Sequence, residues 1–512
     1  MKTSKLVLAL TVLNLFAGCQ TAAPPTPKLA PVVAAPAPTA ATAAPVEDPN
    51  GSAPKASFVP PKTFPTVESF SLENGVEVDL IERHSLPVVD IELIVNSGIS
   101  SEGSLAGAAT ITPEWLEAGG AGRWNSQQLR ESVDALGSSL DINVNRDSSR
   151  WSLAVTSDRT SKAIEILAAL VQSPHFNRAE FAKLRQRELE RVRSLSRTSG
   201  AWMAQMWLQK QLFRIPIGVH PYGSFDVLPV ELERLDTQTC LEWFKRYVTP
   251  ENTRLIVVGD LTLAELRSEI ERNFNHWKGP DAPAFNPSEP ELLSKFELFV
   301  VDRPNSTQSD IYLALQGPNR KDPDFPEAAL LQQIVGGGVA GRLFSDVREK
   351  RSLAYSTSAS IQDLAKAPSV LYFSAGTQTP KTAETVGALL EHLERLGKST
   401  ISASELVDAQ HFLIGSMPIR WEQVQSLAMQ LAQLRVMDLP LDYYDALRKR
   451  IANATLNDVS RVAAKFFRRE RSIVVVAGDA NAIGASLLKY GHVTRVEPTQ
   501  NFRLRDQPQP LN

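Results

Sequence analysis

Strand-like and helix-like hydrophobic patterns alternate along most of this chain. Short runs rich in β-branched residues predict strands, and apolar positions three or four residues apart predict helices. In the first half the predicted order is strand, strand, helix, helix, strand, strand, helix, in residues 76–83, 88–97, 106–118, a helix from Ser126, 140–145, 150–156 and 159–172. A charged helix at 178–195, a strand at 254–260 and a helix at 263–274 complete this half.

The second half repeats this order. Its predicted elements lie at residues 296–301, 311–316, 325–335, 341–350, 355–361, 369–375 and 381–396. Both halves close with a β-branched run that ends on Gly-Asp, at Asp260 and at Asp479. The pattern therefore predicts an α+β chain of two tandem homologous domains, each an antiparallel-rich sheet packed with helices. The predicted domains are 62–278 and 291–495, with a proline-rich linker at 279–290 and a tail at 496–512.

The first 61 residues have a different composition. Lys2 and Lys5 precede an apolar run at 6–16 that is too short to span a bilayer, and small residues lead to Cys19. This pattern resembles the lipobox of bacterial lipoproteins, which implies a signal peptide at 1–18 and lipidation of Cys19. A plain signal peptide cut elsewhere is the alternative. The Ala/Pro-rich residues 19–61 are predicted to form an extended tether. Since Gln20 follows the cysteine where an inner-membrane retention signal has aspartate, we expect an exported chain anchored in the outer membrane and facing the periplasm.

Charge and cysteine content exclude several other classes. The 512 residues carry a formal net charge of -3, so there is no basic excess to neutralise phosphates, and nucleic acid is not expected as a partner. The two cysteines, Cys19 and Cys240, cannot form a disulfide framework. We interpret Cys240 as a small core residue of a helix.

The helix predicted at 106–118 carries the first candidate chemistry. Gly107-Ala-Ala leads to Thr110, then Pro113 and Glu114. This frame resembles the insulinase/pitrilysin/mitochondrial-processing-peptidase family of metallopeptidases, whose early helix carries the zinc motif HxxEH. Here Thr110 and Glu114 stand at the histidine positions and Pro113 stands at the general-base position. Zinc in a catalytic site needs about three protein ligands, so we expect no metal and no catalytic residue on this chain.

The other potential ligands do not change this expectation. The resemblance places the third ligand near Glu188 or Glu190, both of which we interpret as solvated charges among arginines. The seven histidines are scattered, with no pair at metal-binding spacing.

A glycine-rich run in the second half carries the second candidate site. It starts at Gly336 and leads through Arg342 to Arg351 and Tyr355. It lacks Gly-Lys-Ser/Thr and is therefore not a phosphate loop. The run is very similar to the C-terminal signature of the same family, which implies that Arg351 and Tyr355 bind substrate. The structural alternative is that Arg351 pairs with an acid at a helix end and Tyr355 begins a strand.

The resemblance implies a function for the whole chain. Some members of the family work as pairs, in which only one chain carries HxxEH. We expect a zinc-free subunit, not catalytic alone, with a homologous HxxEH-bearing partner that holds the zinc, a peptide substrate and a membrane contact through the lipid anchor. A stand-alone peptide-binding or scaffold lipoprotein is the alternative from another class. An active peptidase with an unconventional site is a third.

Overall fold

Two six-stranded mixed sheets organise the part of the chain that the computed structural model describes, residues 63–216, 219–398 and 401–498. The predicted signal peptide, Cys19, the tether and all but the first residues of the predicted tail lie outside these ranges. Among the described residues, no helix combines the length and hydrophobicity needed to span a bilayer.

The first sheet belongs to the first half. Its strands lie in the order β1-β2-β8-β3-β7-β6, with a separate hairpin β4-β5. The strands are β1 Glu68–Ser71, β2 Glu77–Glu82, β3 Val88–Val95, β4 Gly120–Ala121, β5 Trp124–Asn125, β6 Asp141–Val144, β7 Ser149–Thr156 and β8 Thr253–Gly259. The helices are α1 Ala108–Gly119, α2 Ser126–Asp134, α3 Thr160–Gln172, α4 Arg178–Thr198, α5 Gly200–Leu212, α6 Pro229–Arg234, α7 Thr237–Tyr247 and α8 Leu263–Phe274.

The second sheet has the order β11-β12-β10-β13-β9-β14. Its strands are β9 Glu297–Asp302, β10 Gln308–Gly317, β11 Ala354–Gln362, β12 Ser369–Gln378, β13 Ser472–Gly478 and β14 Val493–Val496. The helices are α9 Phe325–Gly336, α10 Thr382–Gly397, α11 Ala403–Glu422, α12 Val424–Val436, α13 Tyr443–Asn453, α14 Leu456–Phe466 and α15 Ala480–Leu487. Between α9 and β11 lies a π-helical segment, Leu343–Lys350.

The two sheets share one topology, which confirms the predicted fold class of two tandem α+β domains. The order β2-β8-β3-β7-β6 in the first half corresponds to β9-β13-β10-β12-β11 in the second. In each case the first pair is parallel and the remaining pairs are antiparallel. By this correspondence α1 is equivalent to α9, α4 to α11, and α5 to α12.

Some elements differ from the sequence prediction. Residues 341–350 were expected to form an ordinary helix, but the segment is π-helical and closes with the Arg351 amide bonded to the Asp346 carbonyl at 2.9 Å. The edge strands β1 and β14 and the helices α11 to α14 were not predicted. The predicted linker at 279–290 lies in a stretch without helix or strand between α8 and β9.

The halves complete each other's cores by a reciprocal exchange of helices. Helix α5 of the first half packs on β10 and β13 of the second, and α12 of the second half packs on β3 and β8 of the first. In the second contact Leu427 and Leu431 of α12 share an apolar cluster with Ile256 and Val258 of β8. Each sheet is therefore covered in part by a helix from the other half, and we expect neither half to be stable alone.

Candidate functional site

The degenerate motif lies on α1, and a buried carboxylate caps this helix. Gly107, at φ +86°, precedes α1 in a left-handed conformation that favours glycine. The Glu102 carboxylate accepts hydrogen bonds from the Gly107 and Ala109 amides at 2.9 and 2.7 Å. Burial raises the pKa of Glu102 to about 8, although both amides favour its charged form. The carboxyl therefore has a structural role in starting α1.

None of the three motif positions offers the chemistry of a zinc site. The Thr110 hydroxyl is buried without a hydrogen-bond partner in the described part of the chain. Pro113 is buried inside α1, where its carbonyl accepts a hydrogen bond from the Trp151 indole at 3.2 Å. Glu114, a potential carboxylate ligand, is ion-paired with Arg187 of α4. A hydroxyl, a proline and a carboxylate already paired with arginine do not fit a divalent ion.

The two glutamates on α4 have different surroundings. Glu188 is only 13% exposed in its side chain and accepts hydrogen bonds from Arg191, which also pairs with Asp226. Our interpretation of Glu188 as a solvated charge was therefore wrong, because the residue belongs to a partly buried network. Glu190 is largely exposed and accepts a hydrogen bond from Gln186, as expected of a solvated charge.

No alternative metal site is formed nearby. Within residues 63–216, 219–398 and 401–498, no three histidine, cysteine, aspartate or glutamate side chains converge in a way that could hold a metal ion. Cys240 of α7 is fully buried, which confirms its interpretation as a core residue, and burial raises the pKa of its thiol to about 12.

Arg351 follows the π-helical segment and is held by acids of its own half. Its Nη2 lies 2.8 Å from Glu391 and 2.9 Å from Asp346, and its Nε donates to Asp346 at 3.2 Å. The hydrogen bond to Glu391, more than any other contact, raises the pKa of the guanidinium. His392 approaches the same Asp346 carboxylate at 2.9 Å. The pairing with an acid at a helix end, which the structural alternative predicted, is thus present.

Tyr355 lies on β11, the edge strand of the second sheet, and 54% of it is exposed. Its ring lies against Gly376 of β12, where an added Cβ would come within 2.6 Å of the ring and the hydroxyl. The phenol is therefore presented at an open sheet edge. In the described part of the chain, neither Tyr355 nor Arg351 makes a hydrogen bond or ion pair with the motif residues of α1.

The structure also contains a cavity that was not predicted from the sequence. Its volume is about 960 Å³, and its walls come from both halves. They include the turn between β6 and β7, the end of β11, and the helices α9, α11 and α12. No local pattern could reveal it, because these segments are far apart in the chain. We call it the inter-half cavity.

Comparison with known proteins decides the family. The model described as Insulinase (Peptidase family M16) matches residues 78–216, and that described as Peptidase M16 inactive domain matches residues 234–413. The chain belongs to peptidase family M16. The expected family membership is therefore confirmed, and the two matches fall on both halves of the M16 fold described above.

Individual M16 relatives are distant but cover most of the chain. The Helicobacter pylori protein named non-peptidase homolog YmxG is 24% identical over 76% of this chain and 88% of its own length. The Bacillus subtilis protein named uncharacterized zinc protease YmxG is 19% identical over 81% and 99%. The crystal structure of a peptidase M16 inactive domain from Pseudomonas fluorescens superposes with a TM-score of 0.74 at 24% identity, over 81% of this chain and 98% of that one. At this distance the structural likeness shows the fold.

Proposed function

We propose that this M16 chain is the zinc-free subunit of a two-chain zinc metallopeptidase. It contributes Arg351 and Tyr355 to a bound peptide, while a homologous partner carries HxxEH, the zinc and the general base. One observation carries the proposal. The first half lacks suitable residues for all three catalytic roles, with Glu114 engaged by Arg187, whereas the second half keeps Arg351 and, four residues later, an exposed Tyr355. If the whole chain had lost its function, we would not expect Arg351 and Tyr355 to be retained.

The donor groups of the two side chains suit this role. Arg351 has five N–H donors, of which those on Nε and Nη2 bind Asp346 and Glu391. Nη1 makes no hydrogen bond to the described residues, and the side chain is 37% exposed. The two acids thus orient the guanidinium and leave Nη1 for a substrate carbonyl. The Tyr355 phenol can donate to a developing oxyanion.

We place this subunit in the cell envelope. In this proposal Cys19 is lipidated after removal of residues 1–18, and residues 19–61 hold the M16 fold away from an outer membrane that it faces from the periplasm. Cys19→Ser is expected to remove lipid labelling of the chain and to release it from the membrane fraction. Unchanged membrane association of this variant would contradict the anchor without affecting the peptidase proposal.

A specific observation favours a second candidate function. Both acids that hold Arg351 belong to its own half, so the Arg351 side chain is held in place without any partner chain. Together with the inter-half cavity, this supports a stand-alone peptide-binding or scaffold protein of the envelope. In that case no proteolytic activity would depend on Arg351 or Tyr355.

Reconstitution with a partner separates the two candidates. The affinity-tagged chain is expected to copurify with a homologous HxxEH-bearing chain, and the mixture is expected to cleave peptides until a chelator removes zinc. Arg351→Gln and Tyr355→Phe should each abolish most of this cleavage, while the fold is kept. Arg348→Gln is the matched control, because Arg348 is an exposed arginine of the π-helical segment that Arg351 follows. Zinc-dependent cleavage by the isolated chain, or full activity of both variants, would refute the proposal.

A further inference from the structure

The inter-half cavity occupies a specific place in the repeated architecture. It is bounded by α9, α11 and the end of β11, which are the second-half equivalents of α1, α4 and β6. In the first half α1 and α4 face each other at the Glu114–Arg187 pair. The cavity is therefore the counterpart, in the second half, of the degenerate zinc site. The first half contributes the turn between β6 and β7 to its lining.

The charged groups that line the cavity favour an anion. Four arginines and two aspartates are among the lining residues, a formal charge of +2 in a chain whose net charge is -3. Two of these arginines already have acidic partners: Arg320 donates to Asp363 at 2.7 Å, and Arg150 pairs with Glu92 and Asp141. The remaining two, Arg146 and Arg420, have no ion pair within the described ranges.

Arg146 is the more unusual of these two. It is only 6% exposed, its Nη1 donates to Gln209 at 3.2 Å, and its Nη2 has no partner among the described residues. Burial lowers the pKa of this guanidinium to about 10, even though Asp147 favours the charged form. A buried cation without an anionic partner is costly, and a ligand that brings a carboxylate reduces this cost.

Other lining residues are apolar and adaptable. Phe412 of α11 and Met429 of α12 are about half exposed and line the cavity, as do Met417 and Met437. Methionine side chains are flexible and polarizable, and therefore accommodate apolar groups of different shapes. The cavity thus combines two arginines that have no ion pair among the described residues with apolar side chains, which matches a molecule that has both a carboxylate and apolar groups.

We propose that the inter-half cavity binds a peptide segment that carries a carboxylate, with the carboxylate facing Arg146 and Arg420 and apolar side chains against Phe412 and Met429. The carboxylate is supplied by a C-terminus or by an acidic side chain. The choice of a peptide as the ligand rests on the proposed function. The site itself needs neither Arg351 and Tyr355 nor a partner chain.

Fluorescence anisotropy with the purified full chain and no partner tests this site. The probes are short, N-terminally labelled alanine/leucine peptides in three forms: a free C-terminus, a C-terminal amide, and the amide with one internal glutamate. The wild-type chain is expected to bind at least one of the two carboxylate forms about tenfold more tightly than the neutral amide, about 1.4 kcal/mol. Preference for the free C-terminus alone identifies C-terminal recognition, and binding of the glutamate form identifies an acidic side chain.

Variants connect the preference to the cavity. Arg420→Ala and Arg146→Met should each remove most of the carboxylate preference, Arg146→Lys should retain part of it, and Met429→Glu should weaken all three peptides. Arg178→Ala is the matched control, because Arg178 is an exposed arginine at the start of α4 without an ion pair in the described chain and away from the cavity. Circular dichroism checks folding, and Arg420→Ala keeps the test valid if Arg146→Met does not fold, since Arg420 is exposed.

Two outcomes would overturn the site: equal affinity of the wild-type chain for the neutral and carboxylate peptides, or a preference that survives in Arg420→Ala and in every folded Arg146 variant. Neither outcome affects the proposed function, because that proposal is tested separately, by peptide cleavage in the two-chain mixture. Conversely, loss of the paired-peptidase proposal does not alter binding by the isolated chain.

Discussion

The Arg187 guanidinium on α4 donates a hydrogen bond to the Glu114 carboxylate on α1, at the position where the family resemblance places a zinc ligand. Arginine keeps its charge at all accessible pH values, so this cation is permanent. The one carboxylate of the degenerate motif is therefore already neutralised by the helix that faces it. This pair is a positive reason, beyond the missing histidines, why zinc does not fit here.

Restoring a single ligand should accordingly fail to restore the metal. Glu114→His provides one imidazole next to Thr110 and Arg187, and one imidazole does not hold zinc. After incubation with zinc and dialysis, elemental analysis is expected to show no stoichiometric metal in this variant or in the wild-type chain. One tightly bound zinc per Glu114→His chain would show that the remaining positions are better ligands than the structure indicates.

The pair between Asp79 and Arg435 allows one contribution of the helix exchange to the free energy of unfolding to be measured. Asp79 of β2 is completely buried, and Arg435 of α12 donates to it through Nε at 2.8 Å, while Arg254 donates at 2.7 Å. Arg435→Met is expected to lower the free energy of unfolding by about 1–3 kcal/mol, because a buried carboxylate loses one of its two cationic partners. Arg246→Met, at the exposed pair with Glu242, should cost less than about 1 kcal/mol. If denaturant titrations gave the same loss in the free energy of unfolding for Arg435→Met and Arg246→Met, the pair between the halves would contribute no more than an exposed pair.

Asp79 also predicts behaviour at acidic pH. Burial opposes its ionisation, but hydrogen bonds from Arg435 and Ser69 and the charge of Arg254 outweigh burial and lower its pKa below 3.8. A carboxyl whose pKa is lower in the folded than in the unfolded state stabilises the fold at pH values above its unfolded-state pKa. This stabilisation is lost as the pH falls through the folded-state pKa. Asp79→Asn should therefore destabilise the chain near neutral pH, and its difference from wild type should shrink as the pH falls below 3.8. A difference that does not depend on pH would contradict this assignment.

A buried acid pair on β3 predicts the opposite trend at alkaline pH. Burial, together with the charge of nearby Asp90, raises the pKa of Glu92 to about 8, and one Glu92 carboxylate oxygen has no hydrogen-bond partner among the described residues. A raised pKa of an acid favours the fold below the unfolded value of 4.5 and loses this contribution as the pH rises through about 8. Glu92→Gln should therefore be more stable than wild type at pH above about 8, and the gain should shrink toward pH 4.5. Thermal melts across this range test it, with the exposed Glu242→Gln as a control that shows no such trend.

The position of Tyr355 should depend on Gly376. Because an added Cβ at Gly376 would lie within 2.6 Å of the phenol, Gly376→Ala must displace the ring. The ring is exposed and can move aside, so we expect a stability change below about 1 kcal/mol. If the two-chain peptidase forms, this variant should lose at least about tenfold in kcat, since a misplaced oxyanion donor acts like a missing one. Gly415→Ala, at a position where an added Cβ meets nothing within 4 Å, is the control. Unchanged kcat in Gly376→Ala would indicate that the phenol does not contact the reacting group.

The sequence by itself determined the local elements and their repetition. Alternation in residues 150–156 predicted β7, and the two β-branched runs that end on Gly-Asp predicted β8 and β13, because side-chain periodicity is a local property of the chain. That Thr110, Pro113 and Glu114 are poor zinc ligands could also be expected from the sequence, since this depends only on which residue types stand at the motif positions.

Only the tertiary structure decided which side chains meet. The pairing of Glu114 with Arg187, the acids around Arg351, the exchange of α5 and α12, and the inter-half cavity all join residues that are distant in the sequence. Periodicity states which face of an element is buried, but it does not state which element covers it. The partner of each charge follows from the packing of whole helices and sheets, and no local pattern encodes that packing.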